Sequence, residues 1–430
     1  MMGPAVTFPR RRESRRYERA RQILKQTVED LAILGGPPLF THALHVGRPN
    51  IGDRERLLAR FNDILDRHWF TNNGAYVQEF ERRIAERVGV KHCIAMCNGT
   101  VALEIAIRAA GLTGEVIVPS FTFVATAHAL QWQEIKPVFC DINPATHTID
   151  ADKVEGLITP RTTGMIGVHL WGRPCEVEKL AAIAERRRLA LLFDAAHAFG
   201  CTLKGRAIGG FGLAEVFSFH ATKVLNTFEG GAVTTNDDAL AAKIRLMKNF
   251  GFSGYDNVVC IGTNGKMAEI NAAMGLTSLE CIEEFIAANR HNYHAYSKGL
   301  AGLKGVSLIE YDETERCNYH YIVLEIDEAV AGLSRDDLIS MLHAENVLAR
   351  RYFYPGAHYM EPYKSDITRV GVFLKETERV AGRVLVLPTG TSVRLDEIDK
   401  ICSVFRVAIQ HPLRVRELLA KKQAKRGNNS

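Results

Sequence analysis

The nine cysteines of this 430-residue chain follow no pattern that binds a metal or builds a disulfide framework. No two of them form a CxxC pair, their number is odd, and they are scattered through apolar segments. Disulfide-rich domains and zinc sites need regularly spaced cysteines. We therefore expect reduced, mostly structural thiols and no metal site. The cysteines occupy positions 93, 97, 140, 175, 201, 260, 281, 317 and 402.

A membrane-spanning run is also missing from the sequence. No apolar stretch approaches the roughly 20 residues that cross a bilayer. The first eight residues are mostly apolar and the basic run 10–12 follows them, which reverses the order found in a secretory signal peptide. These features predict a cytoplasmic protein without a membrane partner.

The body of the chain has no excess of positive charge, although the formal net charge of the whole is +5. Residues 1–30 carry a net charge of +4 and residues 412–430 a net charge of +5, which leaves −4 for the remainder. A nucleic-acid-binding domain concentrates basic residues on one face of its folded body. We therefore expect no nucleic-acid partner, and two basic terminal segments that are solvated or form peripheral helices.

The sequence does have a regular alternation of short β-rich runs and helix-length stretches, without internal repeats. Helical patterns such as 122–132 and 177–187 lie between the runs, and a longer helical pattern extends from Met267 to about Leu300. This alternation is typical of an α/β sheet covered by helices on both faces. The predicted strands are 115–119, 137–141, 164–170, 189–194, 214–219 and 231–235.

Two charged residues follow two of these predicted strands. Asp194 closes the apolar run 189–193, and Lys223 lies just beyond the run 214–219. Ligands of α/β sheets bind at the carboxyl ends of strands, so both side chains should face one site. A lysine amine can form a Schiff base with the aldehyde of pyridoxal 5'-phosphate (PLP), and a carboxylate can keep its pyridine nitrogen protonated. The pair indicates PLP chemistry, although a single lysine is usually a solvated surface charge.

A phosphate site is predicted at Asn98, Gly99 and Thr100, which follow a short apolar stretch and open a helical pattern. Glycine lets the backbone approach an anion, and a helix N-terminus offers unpaired N–H groups with a favourable dipole. The alternative is an ordinary capped helix, because many helices begin in this way.

Six motifs follow one another in chain order. They are CNGTVAL (97–103), VPSFTFVAT (118–126), DAAHAFG (194–200), SFHATK (218–223), EGGA (229–232) and GTNGKMAEIN (262–271). With these motifs the chain resembles, between residues 35 and 409, the DegT/DnrJ/StrS family of sugar aminotransferases. The resemblance implies an aspartate-aminotransferase-like α/β fold of PLP fold-type I. A large PLP-binding domain with a mostly parallel sheet would span 35–285 and a smaller C-terminal α/β domain 286–411, between a basic extension (1–34) and a basic tail (412–430).

The resemblance implies roles for individual residues. Lys223 would hold the cofactor covalently and then carry a proton to and from the substrate, and Asp194 would pair with the pyridine nitrogen. The other cofactor contacts would be phosphate ligands, a stacking aromatic ring, a histidine near the phenolic oxygen and an asparagine from the other subunit of a homodimer. These are Gly99, Thr100 and Ser218; Phe123; His197; and Asn264. By residue type alone, Phe123 could be core, His197 an ordinary buried histidine and Ser218 a strand-end hydroxyl.

Departures from the commonest family pattern are few. Around Asn264 the family often has aromatic neighbours followed by arginine, whereas this chain has Thr263, Gly265 and Lys266. Position 223 is lysine, whereas a branch of the family that dehydrates sugars has histidine there. The lysine favours transamination.

The same resemblance implies L-glutamate as amino donor and a nucleotide-linked ketosugar as acceptor, with pyridoxamine 5'-phosphate as the intermediate form of the cofactor. Segments 69–74, 96–100 and 248–257 are similar to the subgroup that acts on dTDP-4-keto-6-deoxyglucose. The product would be a dTDP-4-amino-4,6-dideoxysugar for antibiotic or polysaccharide biosynthesis. One alternative is C3 transamination of a dTDP-3-ketosugar, and another is a PLP-binding regulatory protein without turnover.

The nucleotide would bind near the segment 350–358. Arginine suits a pyrophosphate and aromatic rings suit a base, so we expect Arg351, Tyr354 and His358 to contact the nucleotide. These three residues could equally belong to the surface or core of the small domain.

Overall fold

A seven-stranded sheet forms the centre of the computed structural model, which describes residues 24–365 and 373–427. The strands are β1 (His92–Met96), β2 (Glu115–Pro119), β3 (Lys136–Cys140), β4 (Thr162–Val168), β5 (Ala190–Asp194), β6 (Ala214–Ser218) and β7 (Gly231–Thr235). They lie in the order β1-β7-β6-β5-β4-β2-β3; β7 is antiparallel to both of its neighbours and the other pairs are parallel. The six predicted strands are confirmed to within two residues, and β1 is an addition.

Helices cover both faces of this sheet. Val116 and Val118 of β2 pack in one core cluster together with Leu103, whereas Ile117 packs in a second cluster together with Leu180. Alternate residues of a strand point to opposite faces, so burial of all three requires cover on both sides. This explains why the strands are nearly continuous apolar runs.

The helices of the described chain begin and end as follows. They are α1 (Arg54–Arg67), α2 (Ala75–Val88), α3 (Gly99–Ala109), α4 (Ala125–Gln131), α5 (Ala151–Val154), α6 (Val177–Arg187), α7 (Asp238–Met247), α8 (Glu269–Glu280), α9 (Ile282–Leu300), α10 (Glu328–Ala331), α11 (Arg335–Ala344), α12 (Lys375–Arg383), α13 (Leu395–Gln410) and α14 (Pro412–Gly427). Short 3-10 helices span Val28–Asp30, Ala32–Leu34, Glu155–Leu157 and Ala357–Tyr359.

Helix α9 leads from the large sheet into a smaller domain with its own antiparallel sheet of β8 (Val306–Leu308), β9 (Ile322–Ile326) and β10 (Val384–Leu387). The helix predicted over 267–300 is interrupted, because Cys281 has φ −103° and ψ 7° and separates α8 from α9. The predicted domain boundary after residue 285 falls inside α9. Two pairs of two-residue strands, Leu44–His45 with Val347–Leu348 and Thr202–Leu203 with Arg206–Ala207, complete the sheets.

The described parts of the two basic ends pack against the small domain. Leu31 and Val415 are fully buried, and both belong to the core cluster that includes residues of α13. Lys25 Nζ lies 3.0 Å from Glu345 Oε2, and both side chains are buried. Full solvation is therefore wrong for Lys25, Leu31 and Val415, because each end carries side chains that the small domain buries. The alternative expectation of a peripheral helix fits α14, in which most of the described side chains are not buried. The part of the basic extension before residue 24 lies outside the described residues.

No helix within the described ranges is both long and apolar enough to cross a bilayer. The same ranges contain no cluster of His, Cys, Asp and Glu side chains that could hold a metal ion. The nine cysteines are free thiols, and six of them are buried.

Candidate active site

The carboxyl ends of β4, β5 and β6 open into a cavity of about 440 Å³. The N-terminus of α3 forms part of its wall, and loops of the small domain close another side. This edge of the sheet is where α/β folds bind their ligands. The structure brings together in this cavity the predicted residues Gly99, Thr100, Phe123, Asp194, His197, Ser218 and Lys223.

Asp194 ends β5 and is only 6% exposed. Its Oδ2 accepts a hydrogen bond from the Thr126 hydroxyl at 2.8 Å, and its Oδ1 accepts one from the N–H of Ala196 at 3.1 Å. Burial raises the pKa of the Asp194 carboxyl, and these two donors and the charge of Lys223 oppose that rise. The carboxylate is thereby held in one orientation at the cavity wall.

Lys223 lies in the turn that follows β6, with its Nζ 3.4 Å from the hydroxyl of Tyr321. Burial lowers the pKa of Lys223 to about 8, against the attraction of Asp194. A substantial fraction of the amine is therefore uncharged in mildly basic solution. An uncharged lysine amine is the form that attacks a carbonyl group.

A histidine of the small domain anchors the turn that carries Lys223. The Nε2 of His320 donates to the carbonyl of Thr222 at 2.7 Å. Burial lowers the pKa of His320 to about 4, so its ring is neutral near pH 7. This hydrogen bond joins the two domains directly beside the lysine.

His197 offers a single hydrogen-bond donor to the cavity. Its Nδ1 accepts from the N–H of Trp171 at 3.3 Å. Burial, with smaller contributions from Lys223 and His320, holds the pKa of His197 well below its usual value. A neutral ring whose Nδ1 accepts carries its proton on Nε2. The Nε2–H group can therefore donate to a ligand oxygen.

The N-terminus of α3 has the features of an anion-binding site. The side chain of Asn98 caps the helix by accepting from the N–H of Val101 at 2.8 Å. The N–H groups of Gly99 and Thr100 form no hydrogen bond with another described residue. A Cβ on Gly99 would lie 3.0 Å from the Cβ of Ser218, so glycine permits the close approach of helix and strand. Free amides and the helix dipole favour a phosphate at this point.

Phe123 is an exposed aromatic side chain on the cavity wall. It is 58% exposed, whereas Phe121 is 1% exposed and packs in the core. The ring of Phe123 lies 6.3 Å from that of Phe353, measured between centroids. Its exposure argues against a core role and makes its face available for stacking on a planar ligand.

The three predicted nucleotide contacts do not line this cavity. Arg351 Nε lies 2.9 Å from Asp336 Oδ1, and Tyr354 packs against the guanidinium of Arg351 at 5.8 Å. His358 is fully buried with its Nδ1 2.6 Å from the hydroxyl of Ser120. His358 is therefore a core residue, and the other two belong to a cluster on the small domain.

Several cavity residues were not predicted as site residues from the sequence. Arg350 pairs through its backbone with Val386 and lines the cavity, whereas the adjacent Arg351 does not line it. His320 and Tyr321 come from the small domain, and no local pattern connects them to Lys223. The additional lining residues include Val46, Gly47, His220, Thr222, Glu229, His320, Tyr321, Arg350, Tyr352 and Phe353.

Asn264 lies outside the cavity of its own chain, on an exposed segment that begins at Asn249. The two asparagines pair through a backbone bridge. Large exposed apolar patches usually mark interaction surfaces. The contact of Asn264 with the phosphate of a second subunit stays a prediction. The exposed apolar side chains of the segment are Phe250, Phe252, Tyr255, Val258, Val259 and Ile261.

Comparison with known proteins adds to this geometry. Residues 52–406 match the DegT/DnrJ/EryC1/StrS aminotransferase family. A dTDP-4-amino-4,6-dideoxy-D-glucose transaminase from Shigella dysenteriae is 38% identical over 365 residues, which cover 84% of this chain and 98% of that protein. A transaminase of the same name from Escherichia coli is 36% identical over 359 residues, which cover 83% of this chain and 96% of that protein.

Solved structures agree with these matches. DesI, whose structure was determined in the presence of its TDP-sugar product, is 48% identical to this chain with a TM-score of 0.87. The alignment covers 92% of this chain and 100% of DesI. The predicted α/β aminotransferase fold is confirmed. The chain belongs to the DegT/DnrJ/EryC1/StrS aminotransferase family.

Proposed function

We propose that this protein uses PLP to transfer the amino group of L-glutamate to the 4-keto group of dTDP-4-keto-6-deoxyglucose. The products are a dTDP-4-amino-4,6-dideoxysugar and 2-oxoglutarate. The observation that carries the proposal is the meeting of Lys223 and Asp194 in one cavity, in a chain similar to transaminases named for a 4-amino-4,6-dideoxyglucose.

The residues of the cavity fit PLP group by group. The free amides of Gly99 and Thr100, with the hydroxyl of Ser218, suit the phosphate. Asp194 suits the pyridine nitrogen, and Lys223 suits the aldehyde carbon. His197 would donate its Nε2–H to the phenolic oxygen, and the exposed face of Phe123 would stack on the ring. Bound PLP supplies an electron sink for the negative charge that develops on the reacting carbon of the substrate.

The residues of this chain would then have the following roles in the reaction. Lys223 would hold the cofactor through its Nζ, and its free amine would take the proton from Cα of glutamate and, in the second half-reaction, give a proton to C4 of the sugar. Asp194 would hold the ring nitrogen, because Thr126 and Ala196 fix the two oxygens of its carboxylate. The two half-reactions share one site, so ping-pong kinetics are expected.

The decisive experiment incubates the PLP-loaded protein with L-glutamate and dTDP-4-keto-6-deoxyglucose. Mass spectrometry and NMR then identify the product, with Lys223→Ala as the control variant. Nitrogen at C4 supports the proposal. A parallel incubation offers a dTDP-3-ketosugar instead. Nitrogen at C3 of that sugar, with no reaction of the 4-ketosugar, replaces the proposal with the first alternative. Absence of any spectral change with glutamate favours the regulatory alternative.

We also propose that the protein is a homodimer whose sites are shared between subunits. The exposed apolar segment around Asn264 supports this arrangement. Mixing and refolding Lys223→Ala with Asn264→Ala protein tests it, because a hybrid dimer would regain one site with both residues. Recovery of activity above that of either variant is expected. Two variants that stay inactive when mixed, or a monomer in light scattering, contradict the proposal.

A further inference from the structure

Arg350 is a cation of the cavity wall that has no charged partner among the described residues. Its side chain is exposed, and its guanidinium carbon lies 5.4 Å from the ring centroid of Tyr352. It makes no ion pair or side-chain hydrogen bond with another described residue. The adjacent Arg351, in contrast, is paired with Asp336 at 2.9 Å. A guanidinium without a partner, held at the wall of a binding cavity, is available to an anionic ligand.

The backbone of Arg350 is fixed by hydrogen bonds, although its side chain pairs with no charged group of the described residues. The N–H of Arg350 donates to the carbonyl of Val386 at 3.1 Å, and the N–H of Val386 donates back at 2.8 Å. Val386 lies in β10 and is fully buried. The small-domain sheet therefore fixes the point from which the guanidinium enters the cavity.

The other charged groups of the described cavity wall already have a proposed role or a charged partner. They are Lys223, Asp194 and Glu229, and Glu229 Oε1 lies 3.4 Å from His220 Nε2. The cofactor phosphate has its own site at the N-terminus of α3. Among the described residues that line the cavity, Arg350 is therefore the cation that is left to bind a substrate. Both proposed substrates are anions.

We propose that Arg350 binds an oxyanion of the substrate, through the paired N–H groups with which a guanidinium holds a carboxylate or a phosphate. This inference rests on the proposed function. The oxyanion has two possible sources: the carboxylate of the amino donor, and the diphosphate of the nucleotide sugar. We thus assign to Arg350 the anion-binding role that the sequence predicts for Arg351.

The two half-reactions distinguish these sources, because each can be followed alone in a single turnover. One uses the PLP form with L-glutamate, and the other uses the pyridoxamine form with the ketosugar. Arg350→Ala should raise the half-saturating concentration of one substrate by about 10- to 100-fold, the cost of losing a charge-assisted contact. The limiting rate should change by less than about threefold, because the contact is to a non-reacting group.

An effect on glutamate alone assigns the carboxylate, an effect on the sugar alone assigns the diphosphate, and an effect on both assigns a site that serves each in turn. Arg350→Lys should restore part of the lost affinity, because lysine keeps the positive charge but lacks the paired N–H groups of the guanidinium. The matched control is Arg351→Ala, which removes a neighbouring guanidinium that pairs with Asp336 and does not line the cavity.

The inference is overturned if both half-saturating concentrations of Arg350→Ala stay within about twofold of the wild-type values, or if Arg351→Ala has an equal effect. A fall in limiting rate alone, without rescue by the lysine variant, also overturns it.

Failure of the proposed function gives a result different from failure of this inference, because the wild-type protein would then not react with these substrates. In that case titration with succinate and with dTDP compares wild type with Arg350→Ala, and equal binding of both probes refutes the inference.

Discussion

Thr126→Val removes the hydroxyl that donates to Asp194 and leaves the shape of the side chain nearly unchanged. Thr126 is fully buried and its Oγ lies 2.8 Å from Asp194 Oδ2. The ionised form of Asp194 loses one of its two protein hydrogen bonds, while the protonated form loses little. The variant therefore shifts the protonation equilibrium of the carboxyl that is proposed to face the cofactor nitrogen.

The size of the shift follows from the kind of hydrogen bond. A bond to a charged group contributes about 1.5–3 kcal/mol, and one pKa unit corresponds to about 1.4 kcal/mol. The pKa of Asp194, which burial already raises, should increase by about one to two further units. The protonated carboxyl cannot hold a protonated ring nitrogen. The acid limb of the pH profile should therefore move upward by about the same amount, and the rate on that limb should fall by about 10- to 100-fold.

The assay is the single-turnover reaction with L-glutamate, measured from acid to mildly basic pH. Thr126→Ser keeps the hydroxyl and should retain the wild-type acid limb. Thr122→Val removes the 3.0 Å contact between the two threonine hydroxyls without touching Asp194, and it should also leave the limb in place. Superimposable profiles of Thr126→Val and wild type would refute the reasoning.

Three further predictions concern the same fold. Attachment of PLP to the apoprotein should accelerate as pH rises and reach half its maximal rate near the Lys223 pKa of about 8, because only the uncharged amine attacks; a midpoint near 10 in stopped-flow absorbance would contradict this. Gly231→Ala should weaken PLP binding about tenfold or more in a fluorescence titration, since its Cβ would lie 2.6 Å from the backbone carbon of Asn98 and displace the phosphate site. Gly156→Ala, whose Cβ meets no atom within 4 Å, is the control, and equal affinities of the two variants would argue against the predicted phosphate site at the N-terminus of α3. Lys25→Met should lower the free energy of unfolding in urea by about 3–5 kcal/mol, because Glu345 is buried and would lose its cation; an unchanged midpoint would show that the pair is not structural.

The predicted site shows which inferences local sequence can support. Lys223, Asp194 and Gly99 can be identified from short motifs because each lies at the end of a strand, in the turn that follows a strand, or at the start of a helix. All three line one cavity. Arg351 and His358 were selected by residue type within a loop, and neither lines that cavity. Residue type states what a side chain can bind, but the direction of the side chain depends on what its backbone pairs with.

Similar reasoning applies to the ends of the chain. Charge counts suggested solvated tails, and the counts themselves are correct. The described part of the N-terminal segment is held by Lys25 and Glu345, which are 320 positions apart in the sequence. No window of sequence contains that pair, so composition alone could not predict burial of the segment.

The α/β layers and the pair of Lys223 and Asp194 can be predicted from the chain alone, because strand and helix periodicity and the residues at strand ends are local properties. Which side chains meet depends on the tertiary structure. The bridge between Arg350 and Val386 selects which of two adjacent arginines enters the cavity, and the hydrogen bond from His320 to Thr222 joins the small domain to the lysine turn. These contacts connect segments that are distant in sequence, and their register is set by packing across the whole fold.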